Sequence, residues 1–194
     1  EGFNLVVATH ISMCDECRSH MHSFDAVGGA LLEDSDAAPM SEEAMNEALA
    51  QIMELADAPV AEPIEITNGV LPQPLRDYIG ASLDDVKWRS VGMGVRQAKI
   101  KTSNAASVRL LHIPAGCAVP DHGHRGTELT LVLQGAFRDE SDRFGAGDIE
   151  IANEDMNHTP VAEEGLDCIC LAATDAPLKF NSFLPRIAQR FVGM

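Results

Sequence analysis

Between Gly116 and Gly135 the chain runs glycine, five residues, His122, Gly123, His124, three residues, Glu128, six residues and a second glycine. This spacing constrains the fold more than any other feature of the sequence. In an extended strand His122 and His124, two apart, send their imidazoles from the same face. A glycine-containing turn at 125–127 follows, and Glu128 then opens a strongly apolar strand over 129–133. A chain folded back at that turn brings three ligands to one point. Two neutral imidazoles and a carboxylate suit Zn, Fe, Mn or Ni, and imidazole does not choose among them.

The same spacing matches the first cupin motif at every fixed position, so this half of the sequence resembles the cupin family. The resemblance implies a small double-sheet jelly-roll barrel with a fourth ligand histidine on a later strand. His158, thirty residues after Glu128, takes that place. The family's second motif carries Pro and Gly where this chain has Asn153 and Asp155. Short β-rich runs separated by Gly, Asn and Asp predict a sandwich or barrel independently of the motif. They fall at 95–100, 107–113, 128–138, 149–152, 158–162, 167–173 and 178–183, with Trp88 opening the barrel.

The N-terminal part reads differently. Apolar residues recur at helical period over 3–32, with no proline before Pro39. On one such helix His10, Cys14 and Cys17 stand at i, i+4 and i+7, a single face. Imidazole and thiolate in a His-x3-Cys-x2-Cys array offer three ligands to a tetrahedral zinc. His20 and His22 are in-chain candidates for the fourth, and residues upstream of Glu1 are another source, since the chain opens without methionine. After a polar break at 33–40, Ser41 is a good N-cap for a second helix, with Glu42 and Glu43 in its first turn. Its apolar stripe is Met45, Leu49, Ile52, Met53 and Ala56.

Prolines at 59, 63, 72 and 74 mark a linker. The expected organisation is a helical zinc-binding domain over 1–58, a linker over 59–75 and a cupin domain over 76–194, an α+β chain with a short helix between Arg76 and Val86. With 45% apolar residues among 194, there is material for a buried core. A helical domain of that length buries little surface by itself, so zinc and a partner are expected to complete its apolar stripe.

Net charge is −16, and residues 1–66 hold 14 acidic side chains against the single basic Arg18. Direct nucleic-acid binding is thereby disfavoured, because affinity for phosphates comes from Lys and Arg. An acidic surface suits a basic partner, such as the phosphate-binding face of a DNA-binding protein. Five cysteines and the absence of a signal peptide or membrane-length apolar run fit a reducing, cytoplasmic setting. Cys168 and Cys170 alternate on one strand face, either a redox pair or, by the commoner pattern, small packing groups. Cys117 reads as a barrel-rim residue.

An acidic helical segment with His-x3-Cys-x2-Cys joined to a cupin resembles the zinc-binding anti-sigma factors of the ChrR type, over almost the whole chain. That resemblance implies N-terminal helices that grip an extracytoplasmic-function sigma factor and keep it from RNA polymerase. It implies zinc at His10, Cys14 and Cys17, with a family histidine further upstream that has no counterpart here. It also implies zinc or another divalent transition metal at His122, His124, Glu128 and His158. The cupin is then a signal-responsive module, needed for release of the sigma factor under oxidative stress (singlet oxygen), and has no catalytic residues. The competing reading is a metal-dependent cupin oxygenase-type enzyme, since three His and one Glu leave coordination positions open. Against it, the candidate substrate-anchoring charges Arg109, Arg138 and Arg143 read as surface residues.

Overall fold

The computed structural model describes residues 1–56, 69–80, 82–103 and 105–180. Four α-helices, α1 (Gly2–Met13), α2 (Asp15–Glu33), α3 (Glu42–Ala56) and α4 (Gln73–Ile79), and a short 3-10 helix (Leu83–Asp85) precede the strands. Then follow β1 (Arg89–Gly92), β2 (Val95–Ile100), β3 (Ser107–Ile113), β4 (His122–Gly123), β5 (Glu128–Gln134) and β6 (Ala136–Arg138). The chain continues through β7 (Arg143–Gly145), β8 (Ile149–Ala152), β9 (Asn157–His158), β10 (Val161–Ala162), β11 (Cys168–Thr174) and β12 (Lys179–Phe180). The α+β class expected from the sequence is the one observed.

The strands form a six-stranded sheet ordered β1-β2-β3-β11-β5-β8 and two three-stranded sheets, β10-β6-β7 and β12-β4-β9. Period-two alternation divides the large sheet into two faces. Leu110, Leu131 and Leu171 belong to one core cluster, whereas Ile113, Val132 and Cys170 belong to another together with Phe137 of β6. All seven residues of β11 are buried, as a central strand covered on both sides requires. Glu128, Thr130 and Glu150 share the second face, because β5 pairs with β8 in the register Glu128↔Ala152 and Thr130↔Glu150.

α1 covers the first face. Leu5 and Val6 are buried in the cluster of Leu110, Leu131 and Leu171, and α4 adds Leu75. Two compact units result, Glu1–Arg18 with Gly69–Met194, and Ser19–Asn68. The division differs from the expected 1–58, 59–75 and 76–194, because the apolar face of α1 is completed by the sheet. α4 also begins inside the stretch read as linker. Pro59, Pro63 and the end of the strand expected at 178–183 lie outside the described residues.

Two strands expected as continuous are broken. The run 128–138 splits at Gly135, where φ is +71°, into β5 and β6 of different sheets. The run 158–162 likewise divides into β9 and β10, with Pro160 between them. In the unit Ser19–Asn68, α2 and α3 leave large apolar side chains in solvent: Phe24, Val27 and Leu31 on one, Met45, Leu49 and Ile52 on the other. No helix among the described residues is long and apolar enough to cross a membrane.

Candidate metal centres

The three histidines of the barrel meet through the smallest of the sheets. β4 pairs with β9 so that His122 lies directly opposite His158. Gly123 permits this approach, since a Cβ there would stand 2.5 Å from Asn157 Oδ1 and 3.1 Å from the Met156 carbonyl. His158 Nε2 then lies 3.2 Å from His122 Nε2 and 3.2 Å from His124 Nε2. All three side chains are buried.

The second ring nitrogens decide what these atoms are. His122 Nδ1 donates to the Pro120 carbonyl at 2.8 Å, and a carbonyl only accepts, so a neutral His122 presents the lone pair of Nε2. His158 Nδ1 donates to Asp139 Oδ2 at 2.8 Å and to Glu150 Oε1 at 3.1 Å. His124 Nδ1 is buried with no partner among the described residues. Three convergent imidazole nitrogens repel one another unless a cation lies among them. A divalent metal meets that need, so the donor set fits an ion.

Protonation in the metal-free state follows the surroundings. Burial lowers His122 and His124 to about 4. Burial also pulls on His158, but its hydrogen bonds to Glu150 and Asp139 and their charge override it and raise His158 to about 9. The His158 proton thus occupies the place a metal would take. Glu128 is pushed up to about 7 by burial, against the pull of His158, Thr130 and Arg109.

Glu128 is not among the groups that gather here. Its carboxylate accepts from Thr130 Oγ1 at 3.3 Å, on the same interior face. Arg109, expected at the surface, is buried; its Nη2 donates to Ser107 Oγ at 3.0 Å, and it feels the charge of Glu128. Arg138 and Arg143 are surface residues, both paired with Glu163.

Two carboxylates the sequence reading did not single out complete the centre. Asp139 and Glu150 form a second cluster with His158, with side chains only 1% and 4% exposed. Two buried carboxyl groups so close do not both ionise cheaply. Burial raises Glu150. Asp139 is held well below its ordinary range despite burial, by hydrogen bonds from Ser141, Glu150 and His158. Of the two, Asp139 is therefore the more readily ionised and Glu150 the one whose proton is held more tightly.

The N-terminal cluster forms at a break rather than on a single helix. α1 ends at Met13, Cys14 takes an extended conformation (φ −110°, ψ 109°), and α2 starts at Asp15. Arg18 pins the break by donating to the Ile11 carbonyl at 2.8 Å and pairing with Asp15, which satisfies one of the carbonyls a helix end leaves open. His10 Nδ1 donates to the Gly147 carbonyl at 2.9 Å, so Nε2 faces the Cys17 thiol at 3.2 Å. Ligand atoms of His10, Cys14 and Cys17 all lie within 4.8 Å of one another. The Cys17 thiol is raised, first by its hydrogen bond to Cys14 and then by burial. His20 and His22 are exposed on α2 and do not join the group.

The remaining cysteines belong to the core. Cys168 and Cys170 are fully buried with sulfurs 3.5 Å apart, on the cluster that contains Phe137, and Cys117 packs partly buried against it.

Residues 77–176 match the ChrR cupin-like domain family. Over 191 residues the chain is 59% identical to the anti-sigma-E factor ChrR of Cereibacter sphaeroides, covering 98% of this chain and 89% of that one. It also resembles the crystal structure of Rhodobacter sphaeroides SigE in complex with the anti-sigma ChrR. There the TM-score is 0.76 at 58% identity, across 90% of this chain and 89% of the other.

Proposed function

Because this chain belongs to the ChrR cupin-like family, whose relative above is an anti-sigma factor, we propose that it binds and inhibits an extracytoplasmic-function sigma factor. The observation that carries the proposal is the unpartnered apolar surface of α2 and α3. Phe24 is 78% exposed and Ile52 59%, and α2 buries none of its residues. Large apolar side chains exposed in this number along two helices are costly unless another protein covers them. Its setting of 14 acidic side chains and one basic within residues 1–66 suits a basic, DNA-binding partner. The grip therefore lies within 1–58, and regulation rather than turnover is the role of the whole chain.

Zinc is the proposed occupant of His10, Cys14 and Cys17, since two thiolates and an imidazole favour it and a fourth ligand completes the tetrahedron. At the barrel, His122, His124 and His158 would hold zinc or another divalent transition metal, with Glu128 as fourth ligand once its carboxylate turns from Thr130. A metal bound there would supply a Lewis-acidic centre. The protein orients the imidazoles and excludes bulk water.

The cupin is the proposed sensor of an oxidative signal such as singlet oxygen, and the cytoplasm is the proposed location. A signal frees the partner only by favouring a state that binds it less well. The experiment is co-purification of the full chain with its sigma factor, with and without Cys14→Ser and Cys17→Ser together. Loss of the complex supports a zinc-organised grip. An undiminished complex contradicts it.

A further inference from the structure

The turn between β7 and β8, together with the start of β8, touches both candidate metal centres. Gly147 presents its carbonyl to His10 Nδ1 at 2.9 Å, and three residues on, Glu150 Oε1 accepts from His158 Nδ1 at 3.1 Å. All of these residues lie in one compact unit. The turn is tightly specified. Gly147 N donates to the Val132 carbonyl at 2.8 Å, Val132 N to Asp148 O at 3.0 Å, and Gly145 N to Asp148 Oδ2 at 2.7 Å. Gly147 has φ +96°, a conformation that disfavours any side chain, although a Cβ would meet no atom within 4 Å.

Strand alternation then carries the connection to both faces of the sheet. Ile149 packs against the cluster that contains Leu5 and Val6 of α1, while Glu150 points into the barrel. A shift of β8 large enough to release Glu150 from His158 therefore moves the surface on which α1 rests and the carbonyl that orients His10. Partners of the non-ligating nitrogen of a metal-bound histidine fix its ring orientation and its basicity.

We propose that the segment from Gly147 to Glu150 is a shared support for both centres: Gly147 positions His10, and Glu150, with Asp139, positions His158, so that occupancy at one centre alters affinity at the other. This rests on the reading of both clusters as metal sites. The coupling is reciprocal, since linkage requires each metal to change the other's affinity by the same factor.

The test uses the full chain, with metal content measured first and the centres then separated by cobalt substitution. Only the Cys14 and Cys17 site can show a thiolate-to-cobalt charge-transfer band. Glu150→Gln keeps the side chain's shape and is expected to weaken metal binding at the barrel by about 10- to 100-fold. It should also speed loss of the thiolate band to a chelator by several-fold. Gly147→Ala strains the turn without a clash and should weaken the thiolate site first and the barrel site with it. Unchanged far-ultraviolet circular dichroism of the variants shows that neither effect comes from misfolding, since weaker metal binding by itself lowers the unfolding midpoint measured with metal present. A doubly loaded wild-type chain in which Glu150→Gln weakens the barrel site and leaves thiolate-site loss unchanged overturns the coupling alone. A wild-type chain that takes up no metal sinks the reading of both centres and this proposal with it.

Discussion

His122 and His158 face each other across two antiparallel strands of two residues each, their Nε2 atoms 3.2 Å apart. Without a metal the proton on His158, held to about pH 9 by Glu150 and Asp139 against the pull of burial, takes the central position. An incoming ion must displace it. At pH 6 it must also displace the proton of Glu128, raised by burial to about 7, if that carboxylate ligates. Metal uptake at the barrel should therefore release more protons at pH 6 than at pH 8, with the number halving again near pH 9, where His158 itself titrates, and vanishing well above it. Calorimetric titration in buffers of different ionisation enthalpy measures the number directly. A pH-independent count would contradict the assignment.

The same shifts predict how the metal-free chain responds to pH. His158 is raised from 6.5 to about 9, so its contribution to stability is full below 6.5 and is lost as pH rises through 9. His122 and His124, lowered by burial to about 4, act at the other end and destabilise as pH falls from 6.5 through 4. Thermal unfolding of the apo chain should show a midpoint that falls between pH 7 and 9, and the loaded chain should lose that dependence.

Arg18 offers a test of the break between α1 and α2. Its guanidinium donates to the Ile11 carbonyl and pairs with Asp15 across the residue that aims Cys14. Arg18→Ala should cost about 1 kcal/mol, as the loss of one charge-assisted hydrogen bond at a half-buried site does. Loss of a bound metal from the thiolate cluster to a chelator should quicken. Arg18→Lys should restore part of the effect, because one donor still reaches the carbonyl.

How much of this could be read from residue order depends on whether the spacing lies within one element or across several. His122 and His124 were legible because two residues of separation share a strand face. His158 followed from the family resemblance and not from any local pattern. Glu150 was hidden between Ile149 and Ile151, where alternation suggests buried isoleucines and an exposed acid. Ile149 does pack against the first cluster, but Ile151 is 63% exposed and Glu150 is 4% exposed. Only the register Thr130↔Glu150 reveals that the acid faces inward. Asp139 is set by the loop after β6, beyond any periodicity. At the N-terminus, helical spacing brought out His10, Cys14 and Cys17, but the extended Cys14 that gathers them is a product of the break.

The apolar stripe of α3 bears most directly on what the chain does. Leu49 and Ile52 are exposed, so replacing both with Asp should leave the isolated chain's stability within about 0.5 kcal/mol for each site. The measurement is transcription in vitro from a sigma-dependent promoter, with purified RNA polymerase and sigma factor and increasing amounts of the full chain. The wild-type chain is expected to abolish transcription at equimolar sigma factor, while the Leu49→Asp, Ile52→Asp double variant is expected to leave it running. Full inhibition by the double variant, or none by the wild type, would contradict the account.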